Sequence, residues 1–424
     1  MSTSLVIRDI ALELPLDYGQ PDGAKIRVCA REIAREDNQQ APVCVFLQGG
    51  PGFEAPKEPE LIPWLDTALE QFRVLLLDQR GTGRSTPVGP ELCESLPDCD
   101  QQLAHLRCLR ADSIVQDLEQ MRQQFYQGER WFLLGQSFGG FISCHYLSVA
   151  PEALAGVMIC GGLPPIAVES VDAVYQPLLR NIHCHNTRYY QRYPSDRDKV
   201  KCIVEILRTQ PAALPDGGTM SAARFLDCGI VLGTTDGAVK LHALLDTPFT
   251  DESQTRLRPA FLEQLRRQTD YETNPLYVLL HEAIYCDGFA SRWAASRALD
   301  SDPNFSLDNA EITFYGETIR CAMLDEYAQL RGLKTVAERL AETDEWPRLY
   351  NREMLAQNTV PVEAIVYEQD YYVDAEQSLK TANLISNCNV WLHPDWAHDS
   401  IRTQGDKVLR PLMERLLKRV PQSI

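Results

Sequence analysis

Long hydrophobic runs are missing from this sequence. No stretch approaches about 18 consecutive strongly apolar residues, the length that marks a membrane-spanning helix. The first 14 residues place Arg8, Asp9 and Glu13 among apolar positions, and they lack the basic and continuous apolar regions of a secretory signal. This segment is typical of a strand. We therefore expect a cytoplasmic protein without a membrane partner.

Basic charge is also scarce. The chain has 41 Lys and Arg residues against 59 Asp and Glu residues, which gives a net charge of −18. Nucleic-acid binding requires a basic surface that displaces counterions, so nucleic acid is a poor partner and we expect none. There are 13 cysteines but no Cys-x-x-Cys pair, which argues against a zinc ribbon. His183 and His185 flank Cys184, but side chains two positions apart diverge on a helix. We expect reduced thiols, no metal and no organic cofactor.

The 424 residues suit one large domain with a sizeable insertion. Apolar runs typical of buried strands occupy both ends of the chain, whereas residues 163–355 repeat their apolar positions mostly at helical spacing. This pattern predicts an α/β core, residues 1–162 and 356–424, interrupted by a helical insertion. The predicted strands are 5–14, 25–33, 42–47, 73–78, 131–134, 154–160, 362–367 and 388–393. The clearest predicted helices are 112–127, 141–149, 171–182, 198–207, 259–267, 275–285, 335–342 and 408–417.

One stretch, residues 131–140, carries the strongest functional pattern. An apolar run ends in Gly135-Gln136-Ser137-Phe138-Gly139, and a helix-forming segment follows. This is the strand–turn–helix context of a nucleophile elbow, in which the serine sits on a strained turn and glycines allow strand and helix to approach. A serine in an ordinary glycine-rich turn is the alternative. The preceding strand and the additional Gly140 favour Ser137 as a nucleophile.

A second glycine-rich loop follows strand 42–47 with the sequence Gln48-Gly49-Gly50-Pro51-Gly52. In a serine hydrolase such a loop supplies an N–H group that stabilises the oxyanion. We expect the N–H of Phe138 and one from Gly49 or Gly50 to form this oxyanion hole.

A third loop, residues 79–85, follows strand 73–78. It is rich in glycine but lacks the Gly-Lys-Ser/Thr ending of a phosphate loop. We interpret it as a structural loop beside the active site, with Arg80 paired to a carboxylate.

A base and an acid must follow the nucleophile in the order Ser, Asp or Glu, His. His398 lies on a loop beyond strand 388–393, whereas His393 stands at the end of that strand. His398 is therefore the predicted base. The acid follows strand 362–367, where Asp370 is favoured over Asp374 and Glu368.

Three motifs, found in sequence order, carry a resemblance to a known family. They are Gly-Gly-Pro-Gly at 49–52, Asp-Gln-Arg-Gly-Thr-Gly-Arg-Ser at 78–85 and Gly-Gln-Ser-Phe-Gly-Gly at 135–140. Together they resemble the prolyl aminopeptidase (proline iminopeptidase) family of α/β-hydrolases, in its longer form with a large cap. The resemblance covers nearly the whole chain. It implies an α/β-hydrolase core, a mostly parallel doubly wound sheet, with an inserted helical cap and release of N-terminal proline from peptides.

In such enzymes, cap carboxylates hold the free α-amine of the substrate. A fixed carboxylate can bind an ammonium by charge-assisted hydrogen bonds and so reject blocked termini. Glu282 and Glu317 are the candidates here, and Phe138 could wall the pocket for the pyrrolidine ring. The usual family pattern has a histidine before Gly-Gly-Pro-Gly, whereas this chain has Gln48 at that position. This departure leaves the substrate preference open.

Two other functions fit the same sequence. An esterase or amidase for small acyl substrates would keep Ser137 and His398 but be indifferent to a free amine. A non-catalytic binding protein could have kept the fold, although it has no need of a full Ser–acid–His order. An epoxide-hydrolase or haloalkane-type mechanism is disfavoured, because it requires an aspartate at the position of Ser137. The oligomeric state stays open.

Overall fold

A computed structural model describes residues 4–268, 271 and 273–421 of the chain. Its centre is an 8-stranded sheet in the order β1-β2-β4-β3-β5-β6-β9-β10. The strands are β1 Leu5–Pro15, β2 Lys25–Arg35, β3 Val43–Leu47, β4 Arg73–Asp78, β5 Trp131–Gln136, β6 Leu154–Cys160, β9 Val362–Tyr367 and β10 Cys388–His393, with β7 Ala212–Ala213 and β8 Thr219–Met220 forming a separate small hairpin.

Helices surround this sheet and fill the interval between β6 and β9. The α-helices are α1 Leu65–Ala68, α2 Leu92–Ser95, α3 Cys99–Arg107, α4 Ala111–Tyr126, α5 Phe138–Val149, α6 Asp172–Arg192, α7 Asp196–Thr209, α8 Ala222–Leu226, α9 Gly237–Leu244, α10 Pro259–Gln268, α11 Pro275–Leu280, α12 Ala294–Ser301, α13 Met323–Glu326, α14 Lys334–Glu342, α15 Arg352–Ala356, α16 Ala375–Leu384, α17 Ser400–Thr403 and α18 Gly405–Leu417. Short 3-10 helices are Pro59–Leu61, Pro151–Ala153, Asp227–Gly233, Ala283–Tyr285, Pro303–Phe305 and Ala328–Leu333.

The sheet changes from antiparallel to parallel along its width. β1 pairs with β2, and β2 with β4, in antiparallel register, whereas the pairs from β4 through β3, β5, β6 and β9 to β10 are parallel. Every residue of the central strands β3, β5, β6 and β9 is buried. A parallel strand covered on both faces is mostly apolar, which is why β3 and β6 appear in the sequence as short apolar runs. β9 also buries Glu363, whose carboxylate pairs with Arg419.

The predicted strands all form. The predicted helix 275–285 is divided, because α11 ends at Leu280 and a 3-10 turn covers Ala283–Tyr285. Between β6 and β9 the described residues add no strand to the large sheet, and this part of the chain is mainly helical. The division into residues 1–162, 163–355 and 356–424 stays a prediction.

Arg80 does pair with a carboxylate, as the sequence predicted. Its Nε and Nη2 donate to the two oxygens of Asp117 over 2.8 and 2.6 Å, and both side chains are almost wholly buried. Nη1 donates to the carbonyls of Leu16 and Cys108. A bidentate pair with its remaining donors satisfied fixes loop 79–85 firmly against α4, beside the strand ends that form the site.

No helix in the described ranges is long and apolar enough to cross a membrane.

Candidate active site

Ser137 stands at the sharp turn between β5 and α5. Its backbone has φ 54° and ψ −124°, a conformation that a residue with a side chain rarely adopts. The turn is tight because two glycines permit it. A methyl group on Gly139 would lie 1.9 Å from the carbonyl oxygen of Leu47, and one on Gly135 would lie 2.5 Å from the Gly139 oxygen. The sequence pattern thus folds into a nucleophile elbow.

The Gly49–Gly50 loop lies directly beside this elbow. A Cβ on Gly49 would be 2.9 Å from the Cβ of Ser137, so a larger residue there would displace the serine. The loop is held by Gln79, whose side-chain amide donates to the carbonyl of Gln48 over 2.8 Å. Gly49 and Gly50 line the same cavity as Ser137. Phe138 begins helix α5, where backbone N–H groups have no partner within the helix.

Asp370 and His398 form a buried pair on the loops after β9 and β10. Nδ1 of His398 lies 2.8 Å from Oδ2 of Asp370. The other carboxylate oxygen accepts the backbone N–H groups of Tyr372 and Val373 over 2.8 and 3.0 Å. Burial by itself would lower the pKa of His398, but the charge and hydrogen bond of Asp370 outweigh burial and raise this pKa. The aspartate therefore fixes the ring and stabilises its protonated form.

The other candidate residues on these loops have different environments. Asp374 caps α16 by accepting the backbone N–H of Gln377 over 2.9 Å, and it also accepts from Asn181. Glu368 is exposed. His393 stacks on the ring of Trp396, with centroids 3.9 Å apart. The structure thus brings Asp370 to His398, while Asp374 and Glu368 lie elsewhere.

Gly161 and Gly162, directly after β6, lie close to His398 and Ser137 respectively. A Cβ on Gly161 would lie 3.1 Å from Nδ1 of His398, and a Cβ on Gly162 would lie 2.2 Å from the carbonyl oxygen of Ser137. Ser137 and His398 line one cavity of about 290 Å³. A larger cavity of about 640 Å³ opens near Asp17, but neither of these two residues lines it.

Glu317 reaches this cavity from the helical region. Oε1 of Glu317 accepts the hydroxyl of Tyr277 over 2.5 Å, and Oε2 lies 4.0 Å from Nε2 of His281. Burial raises the pKa of Glu317 to about 7, although the Tyr277 hydrogen bond and the nearby His398 oppose the rise. Burial lowers the pKa of His281 to about 3, so this histidine is neutral and offers Glu317 no counter-charge at neutral pH. Among the described residues, Glu317 therefore has no arginine or lysine partner, and its carboxylate faces the cavity that contains Ser137.

Glu282 is placed differently from Glu317. Its carboxylate accepts the backbone N–H groups of Ala294 and Ala295 over 3.2 and 2.8 Å, at the start of α12. It is 5% exposed and is absent from the described lining of the Ser137 cavity. The arrangement is that of a carboxylate stabilising the positive end of a helix. The structure therefore separates the two glutamates that the sequence treated alike.

Aromatic side chains that the sequence did not single out form much of the cavity wall. Tyr271 stacks on Tyr277 at 5.7 Å, Phe53 meets Tyr277 edge-on at 5.4 Å, and Tyr372 meets the ring of His398 at 4.8 Å. Phe138 packs instead against Phe141, and its side chain is not part of the described lining. The wall residues come from separate segments, so no local sequence pattern connects them.

The fold and this site define the class of the protein. A family profile for the alpha/beta hydrolase fold matches residues 42–181. That range includes the Gly49–Gly50 loop and the sharp turn at Ser137, and the mostly parallel sheet continues the same fold through β9 and β10. The protein is an α/β-hydrolase.

Sequence relatives define the family. The chain is 38% identical over 404 residues to a proline iminopeptidase of Aeromonas sobria, with 94% of each chain covered. It is 35% identical over 411 residues to a proline iminopeptidase of Aspergillus aculeatus, with 94% of this chain and 91% of that one covered. A crystal structure of a Mycobacterium smegmatis proline iminopeptidase superposes with a TM-score of 0.48 at 14% identity, covering 97% of this chain and 98% of that one. The chain belongs to the proline iminopeptidase family, which confirms the resemblance seen in its three motifs.

Proposed function

We propose that this protein is a serine exopeptidase that releases N-terminal proline from peptides through an acyl-enzyme. The observation that carries the proposal is the position of Glu317. Its carboxylate faces the cavity that Ser137 and His398 line, and no arginine or lysine pairs with it in the described part of the chain. An esterase for uncharged acyl groups has no use for a buried carboxylate at this point, because burying it without a partner is costly.

Amine recognition follows from that carboxylate. The positively charged α-amine of a peptide would donate charge-assisted hydrogen bonds to Glu317, and this contact would lower the raised pKa of the carboxylate. A peptide with a blocked amine gains nothing from the contact and leaves Glu317 unpaired. The site therefore selects free N-termini. The role assigned to Glu282 from sequence is less well supported, because its oxygens are already bonded to backbone N–H groups at α12.

The proposed catalytic residues are Ser137, His398 and Asp370. His398 takes the hydroxyl proton of Ser137 as the serine oxygen attacks the carbonyl carbon of proline. The N–H groups of Phe138 and of Gly49 or Gly50 stabilise the resulting oxyanion, which is typically worth about 3 kcal/mol of barrier for each donor. His398 then gives the proton to the leaving amine, and the peptide bond breaks.

Hydrolysis of the acyl-enzyme repeats these steps with water. His398 accepts a proton from the water as its oxygen attacks the ester carbon, and it returns that proton to the oxygen of Ser137 as proline leaves. Asp370 keeps Nδ1 of His398 protonated, so that Nε2 is free to accept the proton in both halves of the reaction. The aromatic rings of Phe53, Tyr271 and Tyr277 offer an apolar surface of the kind a pyrrolidine ring requires.

The test compares a proline anilide that carries a free amine with its N-acetylated counterpart, using wild type and Ser137→Ala. We expect only wild type to act, and only on the free amine. Glu317→Gln should lower kcat/KM for the free-amine anilide at least about 100-fold, the scale of a lost hydrogen bond to a buried charge. Equal cleavage of both anilides by wild type would contradict amine recognition, and cleavage of neither would contradict the proline assignment.

Peptides with a free N-terminal proline are thus the proposed partners, and the cytoplasm is the proposed location. The 13 cysteines support that location, because reducing compartments keep thiols free. Activity recovered in the cytosolic fraction of the source cells would support the assignment, and recovery outside the cell would overturn it.

A further inference from the structure

Arg402 brings a positive charge to the catalytic cavity from helix α17, four residues after His398. Its Nη2 donates to Oε1 of Gln136 over 2.7 Å and lies 3.5 Å from Oε1 of Gln48. Gln136 immediately precedes Ser137, and Gln48 immediately precedes Gly49. The guanidinium therefore stands beside the nucleophile and the oxyanion loop, on the core side of the cavity.

This arginine has no carboxylate partner among the described residues. It is the one arginine or lysine in the described lining of the cavity, and none of the ion pairs within 4.0 Å includes it. Its acidic neighbour in the lining, Asp399, accepts the backbone N–H and the hydroxyl of Thr235 over 2.9 and 2.7 Å through Oδ1. Burial lowers the pKa of Arg402 and the charge of Asp399 opposes that fall, so a second anion entering the site would stabilise the guanidinium further. In a chain with a net charge of −18, an unpaired cation at the nucleophile is suited to an anionic substrate group.

The distances place that anionic group close to the scissile bond. Oε1 of Gln136 and Cβ of Ser137 lie 3.1 and 2.9 Å from the point where a Cβ on Gly49 would be. Combined with the 2.7 Å contact, these distances put Nη2 of Arg402 within about 9 Å of the Ser137 Cβ. The serine oxygen attacks the carbonyl carbon from about 3 Å, one residue of extended chain spans about 3.5 Å, and a guanidinium–carboxylate hydrogen bond adds about 3 Å, so that together these lengths cover the separation. A carboxylate on the first residue after the scissile bond can therefore reach Arg402.

We propose that Arg402 binds the terminal α-carboxylate of a dipeptide, so that the preferred substrates are proline dipeptides. This proposal rests on the proposed aminopeptidase function. Glu317 would hold the amine at one end of the dipeptide, Arg402 the carboxylate at the other, and Ser137 would attack the bond between them. A cavity of about 290 Å³ is at the small end of ligand pockets and suits a substrate of this size.

The experiment compares kcat/KM for prolyl-alanine, prolyl-alanine amide and proline anilide. Wild type should prefer the dipeptide over its amide by at least about 10-fold, the scale of one charge-assisted hydrogen bond. Arg402→Gln should bring that ratio close to one, mainly through KM, and Arg402→Lys should keep part of it because a positive charge remains. The matched control is Arg352→Gln, which changes an exposed arginine outside the cavity and should keep the wild-type ratio.

Each other outcome separates this proposal from the proposed function. If wild type cleaves none of the three substrates, the aminopeptidase function itself fails. If it cleaves the anilide but treats dipeptide and amide alike, that function stands and carboxylate recognition is overturned. If Arg402→Gln lowers kcat/KM equally for prolyl-alanine and for its amide, the arginine serves to position Gln136 instead. Preference of wild type for prolyl-aspartate amide over prolyl-alanine would show recognition of a side-chain carboxylate and overturn the dipeptide proposal.

Discussion

The hydroxyl of Tyr277 donates a 2.5 Å hydrogen bond to Oε1 of Glu317, inside the cavity that also contains Ser137. Burial raises the pKa of this carboxyl group to about 7, and the tyrosine opposes the rise by stabilising the charged form. The two residues are 40 positions apart in sequence. In the proposed amine-binding role of Glu317, their contact sets the pH range in which the carboxylate can bind an ammonium group.

Removing that hydroxyl should move the pH dependence of activity. In Tyr277→Phe the carboxylate loses a stabilising donor, so the pKa of Glu317 rises above 7. The acid limb of kcat/KM for proline anilide should then move upward by about one pH unit, which corresponds to a hydrogen bond of about 1.4 kcal/mol. A pH–rate profile measures the shift. With a small ester that lacks an amine, the limb should report His398 and should not move upward, because less charge on Glu317 can only lower the pKa of His398. An upward shift with the ester as well would contradict the assignment.

Glu317 should also limit stability at high pH. The folded-state pKa of about 7 exceeds the ordinary value of 4.5, so between these values the unfolded chain ionises first and stability falls as pH rises. The loss is complete above pH 7 and is at most about 3 kcal/mol. The apparent Tm of Glu317→Gln should therefore exceed that of wild type at pH 8 and match it near pH 4.5, as measured by thermal denaturation. Glu338→Gln, an exposed control, should show no such pH-dependent gain.

Glu282→Gln should behave as a structural change. A glutamine has one oxygen acceptor where the carboxylate accepts two backbone N–H groups of α12, so one donor loses its partner. The expected cost is about 1–3 kcal/mol, seen as a lower apparent Tm. The ratio of activity on free-amine and N-acetylated anilides should stay at its wild-type value. If the variant instead cleaves both anilides alike while its apparent Tm is unchanged, Glu282 takes part in amine binding.

The strained turn at Ser137 predicts a difference between two inactive variants. At φ 54° and ψ −124° a Cβ is unfavourable, whereas glycine adopts this conformation readily. Ser137→Gly should therefore be more stable than Ser137→Ala by about 1 kcal/mol or more, measured as apparent Tm. Equal melting temperatures would show that the surrounding elements impose no strain at this position.

Much of the site was predictable because it depends on local sequence. Ser137 was identified because a nucleophile elbow needs a strand, a serine and closely spaced glycines in one continuous segment. His398 was favoured over His393 because a residue beyond a strand end can reach across a sheet edge, and the structure pairs His398 with Asp370. Their catalytic roles stay predictions, but their convergence follows from the parallel order of β5, β9 and β10.

Other parts of the site could not be predicted, because they depend on which distant segments meet. Glu282 and Glu317 are both candidates for amine binding from the family resemblance, yet one is bonded to backbone N–H groups of α12 and the other faces the cavity. Nothing near Arg402 in sequence indicates that its guanidinium meets Gln136, a residue 266 positions away.

The sequence by itself determined the sheet, the elbow and the order of nucleophile, acid and base, because periodicity and glycine spacing act over a few residues. Only the tertiary structure decided that Glu317 enters the cavity without an arginine or lysine partner among the described residues, and that Arg402 lines the same cavity. Those properties depend on burial and on partners, and a side chain acquires both only when the helical region folds over the sheet.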